Sequence, residues 1–172
     1  VRVMGNNTTR RSTGALARHV GFLFQRPEQQ LFAPTVREEI AYGPEQLELA
    51  RGEAAIDRVM ARFNLTGLAE SPPALLSYGA QRAVTLASLA ILETPIVVMD
   101  EPTVGLDGRG TQQLLSWMAD LRERSITLII VTHELALAER ADRVVAIEGG
   151  RVVADGDLES AVAHLGWDRA AR

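Results

Sequence analysis

Hydrophobic positions fall along this chain in short unbroken runs separated by amphipathic stretches. His19–Phe24, Ile96–Met99 and Thr127–Val131 show no polar alternation. That is the pattern of strands buried on both faces of a parallel sheet. Between them the spacing turns helical. Ile56, Val59, Met60 and Phe63 stand at i, i+3, i+4 and i+7 and predict one helix over residues 53–63. Leu114, Met118 and Leu121 predict another over residues 108–124, and residues 77–92, apolar nearly all round, predict a buried one. Strands alternating with helices argue for a parallel sheet with right-handed crossovers, whose strand ends share one edge.

Local punctuation fills in the rest. Residues 1–4 read as a short strand, Gly5–Thr9 as a turn, and 8–18 as exposed loop and weak helix. Thr35 and Glu38 fit a capping box opening a helix through Tyr42, which Gly43-Pro44 ends. Ser71-Pro72-Pro73 is a rigid break, so residues 26–75 read as a small helical insertion standing off the sheet. Strands at 143–147 and 151–154 flank Glu148-Gly149-Gly150, a hairpin signal. The expected organisation is a core portion in residues 1–25 and 76–156, the insertion at 26–75, and a tail at 157–172 that forms a short helix and then frays.

Composition narrows the classes. The chain has 172 residues, 47% of them hydrophobic, enough for a real core and too apolar for disorder. A net charge of −4 gives no sign of a nucleic-acid-binding surface. Without cysteine there is no disulfide framework or thiolate metal site. No apolar run reaches the roughly 18 residues of a membrane helix, and no signal peptide is visible. The expectation is a soluble intracellular chain that reaches a membrane only through a partner. It begins with Val1 already in strand pattern, so it reads as the interior of a longer gene product.

Candidate chemistry gathers at the strand ends. Gln25 follows the first strand, Asp100 and Glu101 the second, and His133 the third. Pro102 cannot donate to a ladder, so the chain turns there. Open α/β sheets hold ligands at the carboxyl ends of their strands. There Asp100 can hold Mg²⁺ and Glu101 can polarise a water for attack on a phosphate; the alternative is a turn with two solvated acids. Ser77 and Gly79 open the buried helix, where free N–H groups make an anion site, or Ser77 serves only as an N-cap. Asp107 is placed to cap the helix after the acid pair.

Together these residues resemble the ATP-binding subunits of ABC transporters. Gln25 sits at the family's Q-loop glutamine, and Leu76-Ser77-Tyr78-Gly79-Ala80 resembles its signature, normally Leu-Ser-Gly-Gly-Gln. Asp100 matches the Walker B aspartate, Glu101 the catalytic glutamate, Gly105-Leu106-Asp107 the D-loop and His133 the switch histidine. The stretch from Val20 to Phe32, with Thr35-Val36 and Ala41-Tyr42-Gly43-Pro44, resembles the energy-coupling factor group, which drives uptake of vitamins and of cobalt or nickel ions.

The resemblance implies a P-loop NTPase (RecA-like) α/β fold, ATP and Mg²⁺ as cofactors, and peripheral attachment at the cytoplasmic face of the cell membrane. It gives Gln25 and Asp100 to the metal and water, Glu101 to water activation and His133 to the γ-phosphate. Ser77, Gly79 and Asp107 fall at the nucleotide, Ser77 and Gly79 acting in trans on ATP held by a facing subunit, identical or not. Residues 26–44 are the implied contact with a transmembrane partner.

Two departures stand out. The signature carries Tyr78 for glycine, a ring expected to crowd the backbone near phosphate, and Ala80 for glutamine. No Gly-x-x-x-x-Gly-Lys-Ser/Thr loop occurs, so the N-terminal part of the fold is expected to be missing and the chain alone to be inactive as an ATPase. Two other readings stand beside the transport ATPase. One is a non-catalytic module that pairs with an active ATPase. The other is a DNA-repair ATPase, which the short insertion without heptads disfavours.

Overall fold

The computed structural model describes residues 1–165, and the fraying expected at the very end of the tail lies outside them. By its internal contacts the chain divides into two compact units, residues 1–131 and 132–172.

The first unit opens with a two-residue hairpin, β1 (Arg2–Val3) against β2 (Asn6–Asn7), and a short helix α1 (Thr13–Ala17). Its centre is a three-stranded parallel sheet of β3 (Val20–Leu23), β4 (Ile96–Asp100) and β5 (Thr127–Val131) in the order β3-β4-β5. Two helices of the insertion, α2 (Val36–Gln46) and α3 (Glu53–Arg62), precede α4 (Tyr78–Ala90); α5 (Gly108–Glu123) connects β4 to β5.

Register aligns Gly21, Val97 and Leu128 across the three strands, and Leu23, Met99 and Ile130 two residues on. This face carries the sheet's buried residues, with α4 against β3 and α5 against β5. Gly21 is required there: a Cβ would come within 2.2 Å of Leu89 of α4. Its N–H is held by the buried Thr94 hydroxyl at 3.1 Å, which in turn donates to the Ile96 carbonyl.

The opposite face departs from the expected double burial. Phe22 is 42% exposed, Ile129 50% and Val131 55%. Unbroken apolar runs did arise from a parallel sheet, but at these positions of it the side chains are exposed.

A second departure concerns α2, which runs through Gly43-Pro44 to Gln46 instead of ending there. Pro44 forfeits the N–H that would bond back to residue 40, a helix-breaking loss in isolation. Packing overrides it. Pro44 is buried, and Gly43 brings α2 so close to α4's end that a Cβ would lie 2.9 Å from Leu92. The α3 face is as the spacing predicts: Ile56, Met60 and Phe63 are buried, and Phe63 meets Trp117 of α5 edge-on at 5.8 Å.

The second unit holds α6 (Leu135–Ala138), the antiparallel hairpin β6 (Val144–Glu148) and β7 (Arg151–Gly156), and α7 (Leu158–Leu165). Gly149 and Gly150 both have positive φ, 55° and 76°, as a two-residue hairpin turn of matching twist demands. Ala146, Ala154 and Ala161 form its small core.

Candidate functional site

Parallel pairing brings the carboxyl ends of β3, β4 and β5 to one edge of the sheet. Leu23 faces Met99, and Asp100 pairs with Val131. Gln25 lies two residues beyond Leu23, so it and Asp100-Glu101 leave neighbouring strands at the same level.

The acid pair sits on a strained turn. Glu101 still donates its N–H to the Val131 carbonyl at 2.9 Å, yet its φ is 45°. A non-glycine residue in that left-handed region costs about 1–2 kcal/mol, and such strain persists only where the surroundings enforce it. Here Pro102 and Thr103 are buried directly behind it. The loop then closes through Leu106 N–H to the Thr103 carbonyl, 3.0 Å. It ends on Asp107, whose Oδ1 accepts from Gly110 N–H at 2.7 Å and caps α5. The Asp107 cap is therefore formed. Asp100 and Glu101 are both half-buried.

Ser77 is the N-cap of α4, its hydroxyl accepting from Ala80 N–H at 3.4 Å, a long contact. The first N–H groups of a helix have no acceptor within it, and the Ser77 hydroxyl supplies one for Ala80. Gly79 and Gly105 approach closely, a Cβ on Gly79 falling 2.9 Å from the Gly105 carbonyl oxygen.

The strongest organising residue carries no motif signal in the sequence. Arg82 is completely buried, one turn into α4. Its guanidinium donates to the carbonyls of Phe24 at 2.6 Å, of Gln25, and of Val104 at 3.4 Å. It thus ties the end of β3 to the loop after the acid pair. Burial pulls its pKa below the ordinary guanidinium value, while Tyr78, Asp100 and Glu28 favour the charged form. Tyr78 adds a second tie. Its hydroxyl donates to the Gln25 carbonyl at 3.3 Å and its ring lies over Gly105.

Two further residues shape the segment after Gln25. The Gln30 side chain accepts from Phe24 N–H at 2.9 Å and donates to the Phe22 carbonyl at 3.0 Å, completing the edge of β3 as a strand would. Glu39, buried in α2, accepts from Phe32 and Ala33 N–H at 2.8 and 2.7 Å. Neither stands out in the sequence: Gln30 ends the polar run from Gln25 and Glu39 follows Arg37-Glu38, both of which read as a solvated face.

Structure therefore brings Gln25, Ser77, Gly79, Asp100, Glu101 and Asp107 together in the first unit. His133 belongs to the second unit, where it is exposed. Among the described residues no three His, Asp or Glu side chains converge as a self-sufficient metal site. A carboxylate pair at a strand end suits Mg²⁺, which takes one or two protein carboxylates and completes its shell with phosphate and water oxygens.

Known proteins decide the family. The sequence profile of the ABC transporter family matches residues 1–104. The chain belongs to the ABC transporter family, as an ATP-binding domain. Nickel import ATP-binding protein NikO of Rhodobacter capsulatus is 42% identical over 164 residues, covering 92% of this chain and 65% of that protein. The energy-coupling factor transporter ATP-binding protein EcfA of Carboxydothermus hydrogenoformans is 36% identical, covering 91% and 59%. CbiO1 of Clostridium perfringens, part of the ABC transporter complex CbiONQ, superimposes with a TM-score of 0.73 at 26% identity, covering 95% of this chain and 68% of that one. The ABC domain therefore spans about three-fifths to two-thirds of the length of these relatives. The P-loop NTPase fold expected from its motifs is the fold of its structural neighbours. No helix among its described residues is long and apolar enough to cross a membrane.

Proposed function

We propose that this ABC domain is the larger part of an ATP-hydrolysing subunit that powers import of a metal ion or vitamin at the cytoplasmic face of the membrane. One observation carries the reading. Gln25 and the acid pair leave adjacent parallel strands at one edge, with the N-terminus of α4 packed on the loop that follows the acids. In this reading Asp100, with Gln25, would hold Mg²⁺, which would offset the charge of the ATP phosphates whose cleavage supplies the energy. Glu101 orients the attacking water, and His133 meets the terminal phosphate. Ser77, Gly79 and Asp107 line the nucleotide, with Ser77 and Gly79 facing ATP held by a second ATPase subunit. The names of the nickel and energy-coupling factor relatives support the substrate class.

The surface of residues 26–44 suits a transmembrane partner. Phe32 is 63% exposed and meets Tyr42 edge-on at 4.6 Å. Both line an apolar cleft of about 370 Å³ between α1, β3, α2 and α4. Glu39 holds Phe32 in place through its backbone.

Tyr78 and Ala80 in the signature support the second reading, a module that only pairs with an active ATPase. Substituting Glu101→Gln in the full-length parent separates the two. ATP turnover of the assembled transporter is expected to fall at least ~100-fold; undiminished hydrolysis removes Glu101 from catalysis and favours the second reading.

A further inference from the structure

The signature tyrosine offers more than a departure from a motif. Three segments meet at Tyr78 and Arg82: the N-terminus of α4, the end of β3 at Phe24-Gln25, and the loop at Val104-Gly105. The Arg82 guanidinium, fully buried, donates to backbone carbonyls that belong to two different loops. A planar fork of donors can bridge acceptors in this way, whereas a single ammonium cannot hold the same fan of directions. Tyr78 reaches the same two loops from the other side, its hydroxyl on the Gln25 carbonyl and its ring on Gly105. Gly105 has φ 81°, and a Cβ there would lie 2.1 Å from the ring, so the contact needs glycine twice over.

We infer that Tyr78 and Arg82 are positioning residues that make the Ser77-Gly79 turn, the Gln25 backbone and the loop after Asp100-Glu101 move as one body. The ring fills the space over Gly105 that the common signature glycine leaves empty. Tyr78 is thereby a working substitution in this chain. Without it the loop bearing Glu101 could drift from the turn bearing Ser77, and displacements near 1 Å cost up to ~100-fold in rate. Glu101 already holds a strained φ, so its position depends on what encloses it.

The inference rests on the ATPase reading for its kinetic consequence but not for its structural one, and the test reads both. The full-length parent in its assembled transporter would carry Tyr78→Gly, Tyr78→Phe and Arg82→Lys, each followed by ATP kinetics and by amide hydrogen exchange of segments 24–27 and 103–107. Tyr78→Gly, which installs the common signature residue, is expected to lower kcat about tenfold with KM changed less than about twofold, the mark of lost positioning rather than lost binding. Exchange of both segments should rise about tenfold or more. Tyr78→Phe keeps the ring and should retain protection of 103–107 while loosening 24–27. Arg82→Lys should loosen both. A Tyr78→Gly protein with unchanged exchange, or with kcat equal to or above the parent's, overturns the inference. Tyr78 is 40% exposed, so its variants decide the matter even if Arg82→Lys fails to fold. Should Glu101→Gln leave turnover intact, the ATPase reading fails while the exchange data still judge the coupling.

Discussion

Gly79 and Gly105 sit face to face, so close that a methyl group on Gly79 would press 2.9 Å from the Gly105 carbonyl oxygen. The N-terminus of α4 and the loop after the acid pair are thus packed backbone to backbone, with no side chain between them to yield. Gly79→Ala is expected to cost about 1–2 kcal/mol, the scale of small-to-large strain. Gly105→Ala should cost more, because it adds an unfavourable φ to a clash with the Tyr78 ring. Urea unfolding of the parent subunit ranks the two. Combining Gly105→Ala with Tyr78→Gly should relieve the clash and leave the φ penalty, so the two effects are non-additive. Simple additivity would mean that the ring does not rest on Gly105.

At Glu101 the left-handed φ of 45° separates backbone tolerance from carboxylate chemistry. Asn accepts that conformation readily and β-branched residues do not. Glu101→Val is therefore expected to lose about 1–2 kcal/mol more stability than Glu101→Asn, while both abolish turnover. Thermal unfolding alongside ATP hydrolysis checks this; equal stability of the two variants would show that the turn relaxes.

The two helix caps differ in quality. Asp107 accepts at 2.7 Å from Gly110 N–H, and Ser77 at 3.4 Å from Ala80 N–H. Asp107→Ala is expected to destabilise by about 1 kcal/mol and Ser77→Ala by less. Ser77→Ala should instead show its larger effect on ATP turnover of the assembled transporter, since its hydroxyl is only loosely engaged within the helix. A stability loss for Ser77→Ala matching that of Asp107→Ala, with turnover intact, would make Ser77 a cap alone.

Why were some of these features legible in the sequence and others not? Spacing at Ile56, Met60 and Phe63 marked a buried face because helical periodicity is a local property. Gly149-Gly150 marked a hairpin because its turn needs two positive φ angles. Asp100 and Glu101 were readable from an apolar run meeting a proline. By contrast, Pro44 by itself predicts a stop, and the helix continues because Pro44 is buried and Gly43 closes on the distant Leu92. Arg82 gave no signal because a long cation in a helix ordinarily reaches water; its burial depends on carbonyls 22 and about 58 residues away in sequence. The half-open sheet was also hidden, since an unbroken apolar strand does not say what covers it.

The second unit carries a charge pair whose acid response has a definite sign. Arg143 meets Asp155 bidentately at 2.6 and 2.7 Å across the β6–β7 hairpin. The hydrogen bond from Arg143 holds the Asp155 carboxyl below its ordinary value of 3.8 and raises the guanidinium. A depressed carboxylate adds stability that is fully present above the unfolded value and disappears as pH falls from there through the folded value. The hairpin should accordingly be indifferent to pH near neutrality and loosen only below about pH 4. Both groups are exposed, so salt should weaken the effect. A carbon-detected NMR titration of Asp155 is expected to give a midpoint below 3.8 that returns toward it in Arg143→Gln and at high salt. A midpoint unmoved by Arg143→Gln would show that the pair contributes nothing in solution.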